Sequence, residues 1–69
     1  MYEVRTLCHE EFEVIVYSGD LRATITLPKG QHIRRDYLRG EVIWRLIGGG
    51  RDGYYFVASD RWINRMTIP

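Results

Sequence analysis

Residues 40–59 read G-E-V-I-W-R-L-I-G-G-G-R-D-G-Y-Y-F-V-A-S, and the fold turns on how this stretch is taken. Two apolar runs, residues 41–47 and 54–58, are rich in β-branched and aromatic side chains and flank a glycine-rich link. That arrangement predicts a β-hairpin. In the first run Val42, Trp44 and Leu46 alternate with Ile43 and Ile47, so both faces are apolar. A strand of that kind is central in its sheet or covered on both sides. The competing choice is a helix over residues 33–47, which would align Ile33, Tyr37, Gly40, Trp44 and Ile47. Gly40 in its middle would cost about 1 kcal/mol relative to Ala, and E-V-I-W-R-L-I favours a strand.

Upstream, residues 2–8 alternate, with Tyr2, Val4, Thr6 and Cys8 opposed to Glu3, Arg5 and Leu7, as in a half-buried strand. Residues 12–18 predict a second strand with Phe12, Val14 and Val16 on one face. Ser18-Gly19-Asp20 is a tight-turn signal. Residues 21–27 follow with Leu21, Ala23, Ile25 and Leu27 inward and Arg22, Thr24 and Thr26 outward. The three strands are expected to form an antiparallel meander, closed by Pro28-Lys29-Gly30. Residues 31–39, Q-H-I-R-R-D-Y-L-R, fit a short helix or an extended run, and local chemistry does not decide between them.

Five or six short strands in so few residues point to an all-β or mainly-β fold with at most one short helix. A small antiparallel barrel or strongly bent sheet would remove exposed edges. The last thirty residues resemble an SH3-like barrel in architecture. They run strand, tight link, Y-Y-F-V-A-S, a brief turn at D-R-W-I-N and a closing M-T-I. The resemblance implies a one-turn helix at D-R-W-I-N between the last two strands. It does not extend to proline-peptide recognition, because the acidic, tyrosine-bearing loop of that class is missing.

The chain has 69 residues, which predicts one small domain, residues 1–69. Such a chain buries only about 60% of the surface exposed on unfolding. A hydrophobic share of 45% and a charged share of 28% are those of a globular protein rather than a disordered one. No apolar run approaches the roughly 18 residues of a membrane span, and M-Y-E-V-R does not start like a secretory signal. Cys8 is the single cysteine, so no internal disulfide forms and a reducing cytoplasm is expected.

The net charge of +1 is unevenly spread. Residues 1–20 carry one basic and five acidic side chains, a net of −4, and residues 21–69 carry nine basic and four acidic, a net of +5. Nine of the ten basic residues are Arg, which suits bidentate carboxylate or phosphate contacts.

No motif names a reaction. Cys8 and His9 are neighbours on a strand and point to opposite faces, so a thiol–imidazole pair does not form between them. His32 could reach Cys8 across the fold, but a structural cysteine is the better account. His9, Glu10, Glu11, His32 and Asp36 include metal-ligand types at spacings that match no zinc or calcium pattern. The glycine link lacks the Gly-Lys-Ser/Thr ending of a phosphate-binding loop and runs into a strand. It therefore reads as a hairpin tip that displays Arg51. No cofactor and no catalytic set are expected.

The strongest constellation is the basic segment Lys29, His32, Arg34, Arg35 and Arg39, extended by Arg45 and Arg51, with Tyr37, Tyr55 and Trp62 as aromatics that could lie beside it. Arg and aromatic side chains dominate protein–protein hot spots. The expected function is therefore non-enzymatic binding to a larger protein partner, as in the small regulators and inhibitors of phages and mobile elements. The alternative is a small-barrel nucleic-acid binder using residues 29–39, since basic groups track phosphates and aromatic faces stack bases. Against it, the pI is near 7.9, whereas dedicated binders lie above about 9. No membrane partner is expected, and a homodimer is compatible with either function.

Overall fold

The computed structural model describes residues 3–69; the place assigned to Tyr2 on the first strand lies outside them. Among the described residues the fold is mainly β, with one short helix and one antiparallel sheet of seven strands. The strands are β1 (Val4–Leu7), β2 (Phe12–Ser18), β3 (Leu21–Leu27), β4 (His32–Leu38), β5 (Glu41–Ile47), β6 (Tyr55–Phe56) and β7 (Thr67–Ile68), with helix α1 (Asp60–Met66) between the last two. Their order across the sheet is β3-β2-β6-β5-β4-β1-β7. The sheet has seven strands rather than five or six, and it does not close.

The ambiguous segment is a strand. β4 pairs with β5 over seven residues, from His32↔Ile47 to Leu38↔Glu41. The two-residue turn between them places Arg39 at φ 52 and Gly40 at φ 83. Positive φ at both central positions matches the right-handed twist of the flanking strands. The hairpin expected over residues 40–59 is present too, but β6 contributes only Trp44↔Phe56 and Arg45↔Tyr55. A 3-10 turn, Gly49–Arg51, fills the glycine link. Asp52 fastens it by accepting the Gly48 N–H at 2.6 Å, so this donor is not available to a phosphate.

The expected three-strand meander is not formed. β2 and β3 make a seven-residue hairpin, but β1 pairs with β4 and β7 and never with β2. The cause is visible at Leu7. Its N–H donates to Gln31 O at 3.0 Å, and its C=O accepts the Gly30 N–H at 2.7 Å. The β3–β4 turn thus holds the end of β1, and residues 8–11 carry the chain away to β2.

The same turn shows that the sheet is curled. Three strands separate β3 from β4, so a flat sheet would hold them about 19 Å apart. The step from Leu27 to His32 spans at most about 18 Å even when fully extended. It is far from extended, since Gln31 N–H donates to Pro28 O at 3.1 Å and Gly30 has φ 88. The inner face of the curl holds the core: Leu7, Val16, Leu27, Ile33, Trp44, Leu46 and Phe56, with Ile63 of α1 against them. Ser59 caps α1 by accepting the Trp62 N–H. Trp62 lies edge-on to Phe12 at 5.3 Å and Phe56 at 6.0 Å, and the Thr67 hydroxyl donates to Ile63 O. The brief helix expected at D-R-W-I-N is therefore real, and it lengthens to Met66.

Candidate binding surface

Residues opposite one another in a sheet share a face, so the register sorts the candidate residues directly. Arg34 faces Arg45, and Arg45 faces Tyr55, which in turn faces Tyr17. These four form one row across β4, β5, β6 and β2 on the outer face. Asp36 and Ile43 make the next row.

Asp36 organises this face. Its Oδ2 accepts Arg45 Nε at 2.6 Å and lies 4.0 Å from Arg34, while its Oδ1 accepts the Tyr37 backbone N–H at 2.8 Å. The Arg45 bond, and then the Tyr37 bond, hold the carboxyl below the usual Asp range. Arg45 also donates to Gly53 O at 2.9 Å, and its guanidinium lies 5.5 Å from the centre of the Tyr55 ring. Tyr55 stacks on Tyr17 at 5.5 Å with the rings inclined by 27°. A cation held against a ring face is favourable, and here it is held by a carboxylate and a carbonyl at once.

Beside the stack lies an open depression of about 310 Å³, lined by Tyr17, Leu38, Arg39, Glu41, Ile43, Tyr55 and Val57. It occurs where β6 stops at Phe56, leaving the outer face between β2 and the start of β5 without a strand. Ile43 forms its floor and is buried although it faces outward. Both faces of β5 are thus apolar and covered at that position, whereas Ile47 at the other end is exposed. Val57 is 63% exposed at the rim, an unusual position for an aliphatic side chain beside two tyrosines.

The proposed basic segment does not stay together. Because it is a strand, His32 and Arg34 face outward and Arg35 inward. His32 Nδ1 meets Thr6 Oγ1 at 2.8 Å and not Cys8, whose thiol donates to Met66 O at 3.5 Å. Arg35 joins Arg5 on Glu3 at one end of the inner face, at 3.5 and 2.7 Å. Glu3 is held below the usual Glu range, chiefly by its hydrogen bond from Arg5. Tyr37 is exposed at the same end, 5.9 Å from the Arg35 guanidinium. Lys29 sits in the β3–β4 turn, Arg51 in the 3-10 turn, and Trp62 packs on the inner face, so none of the three borders the Tyr17–Tyr55 stack.

Of the candidates, the structure brings Arg34, Arg45 and Tyr55 together, with Arg39 at the rim. Tyr17, Asp36 and Val57 belong with them, although residue type alone does not mark these three as binding residues. Their parity along the strands placed Tyr17 opposite the Phe12-Val14-Val16 face, but nothing in the chain announced that β6 would dock beside β2. Among the described residues no three of His, Cys, Asp and Glu stand together as metal ligands. No helix among them is long and apolar enough to cross a membrane. Compared with known protein families, curated proteins and solved structures, the chain has no match.

Proposed function

We propose that the protein is a small non-enzymatic binding module that engages a larger protein through its outer face. The observation that carries this reading is the Arg45–Tyr55–Tyr17 row, locked by Asp36 beside an open apolar depression. Rigid aromatic and arginine side chains next to a pocket are what binding hot spots are made of. Preorganisation lowers the entropy that association must overcome. On this reading Tyr17 and Tyr55 supply stacking area, Val57 and the Ile43 floor receive an apolar anchor, and Arg45 pairs with an acceptor at the rim.

Nucleic acid is the weaker choice, for an electrostatic reason. Arg34 and Arg45 share Asp36, Arg5 and Arg35 share Glu3, and Glu41 lines the depression. A phosphate-tracking groove needs several unmatched cations in a row, and each of these arginine pairs has half its charge neutralised by the carboxylate it shares. The test is a salt series with single-stranded DNA and RNA oligonucleotides. A protein-binding face gives no measurable association even at low salt. Association that falls about a thousandfold between 50 and 200 mM salt would replace this proposal with the nucleic-acid one.

A further inference from the structure

β3 is a seven-residue strand at the edge of the sheet, paired only with β2. The opposite edge, β7, has two residues and is led into by α1, a common way of blunting an edge. β3 is less protected: it lacks Pro and Lys, Arg22 is its one charge, and only its last residues, 25–27, share a small cleft with the glycine link. The two-residue loop makes Ser18 and Leu21 a hydrogen-bonded pair, and the alternation of an antiparallel ladder then turns the N–H and C=O of Arg22, Thr24 and Thr26 outward.

We infer that β3 is the dimerisation edge of this protein, pairing antiparallel with β3 of a second copy, Thr24 opposite Thr24. In that register Arg22 of each copy meets Thr26 of the other, so all three outward residues of both strands are hydrogen-bonded. A shift of two residues in either direction leaves part of them unpaired. Two further features are self-complementary. Glu13 lies beside Thr26 on the outer face, so Arg22 of one copy points toward Glu13 of the other, and it does so twice by symmetry. Both are exposed and neither has an ion pair among the described residues. Leu21, an inner-face residue that is 45% exposed, comes to lie against the second copy's strand at Leu27, so only Leu21 loses exposed surface there, Leu27 being already buried. The edge adjoins the Arg45–Tyr55–Tyr17 row, since Arg22 stands opposite Tyr17, but self-association of the pure chain is read without any other partner, so this inference and the proposed function stand or fall separately.

The test is sedimentation equilibrium of the whole chain from about 1 to 500 µM, the range for a contact of this size, with backbone amide exchange read alongside. The expected result is a dimer in which the Arg22, Thr24 and Thr26 amides become protected as concentration rises. Arg22→Glu and Glu13→Arg should each weaken it about tenfold, and the double swap should restore it. Thr24→Pro, at a position whose N–H faces outward and where Pro is tolerated, should give a folded monomer. A monomer throughout the range overturns the inference, including one whose edge instead takes up an extended segment of a different protein. A dimer unmoved by all of these substitutions overturns it too, because the contact then lies elsewhere.

Discussion

Arg45 Nε donates to Asp36 Oδ2 at 2.6 Å, and the same guanidinium sits 5.5 Å from the centre of the Tyr55 ring. One carboxylate on β4 therefore fixes a cation on β5 against an aromatic ring on β6. Asp36→Asn keeps the shape but removes the charge that anchors Arg45. Partner affinity should fall by about tenfold, the scale of a charge-assisted hydrogen bond, while the far-ultraviolet circular dichroism stays unchanged.

Acid should act on the same bond. The folded state holds the Asp36 carboxyl below its ordinary range, through Arg45 first and the Tyr37 N–H second, and it holds Glu3 low through Arg5. A carboxyl depressed on folding adds stability that is complete above its unfolded pKa and is lost as pH falls through the folded value. The midpoint of urea unfolding should therefore be flat from neutrality to about pH 5 and then decline below about pH 4. Asp36→Asn should make that decline shallower. An identical acid limb in the variant would show that Asp36 is not one of the groups responsible.

Tyr55 is placed to carry binding energy rather than stability. Tyr55→Ala should lower partner affinity by about 2 kcal/mol, roughly thirtyfold, as a central hot-spot residue does. Tyr55→Phe should retain most of it, because the ring and not the hydroxyl makes the contacts to Tyr17 and Arg45. Titration calorimetry on the purified partner separates the two.

The sheet was legible where side-chain parity was strong and illegible where pairing depended on distant residues. Val42, Trp44 and Leu46 announced β5, and Leu21, Ala23, Ile25 and Leu27 announced the inward face of β3, because period-2 alternation is local. The expected β1–β2 pairing failed for a non-local reason: Leu7 is bonded to the turn at Gly30 and Gln31, which no pattern within residues 2–18 records. The candidate site divided in the same way. Arg45 and Tyr55 were found through their residue types. Tyr17 was not, since its value arises only when β6 is inserted between β2 and β5. The run of five basic residues misled because a strand sends Arg34 and Arg35 to opposite faces.

Strain at Arg39 is a separate matter. It is the one described non-glycine residue at positive φ, 52°, and it lines the outer-face depression. Asn is at ease in that conformation, so Arg39→Asn should raise stability by about 0.5–1 kcal/mol. Thermal denaturation measures the gain. Weaker partner binding in this more stable variant would show that the strained arginine is kept for contact.

The core prediction concerns Phe56, which is fully buried and faces Trp44 across the sheet. Phe56→Ala should cost about 3–5 kcal/mol. Total stability of about 5 kcal/mol is ordinary for so small a domain, so the variant should be marginal at room temperature, with up to about half of the population unfolded. Trp62, edge-on to the Phe56 ring, supplies a fluorescence reading of the loss.

The central claim is that the outer face of β5 and β6 recognises a protein. Affinity capture from extract of the source cells, run in parallel with the wild-type chain and Tyr55→Ala and repeated after nuclease treatment, tests it most directly. A protein retained by the wild type after nuclease and lost by Tyr55→Ala is the predicted result. Capture that vanishes with nuclease, or that Tyr55→Ala leaves untouched, would contradict it.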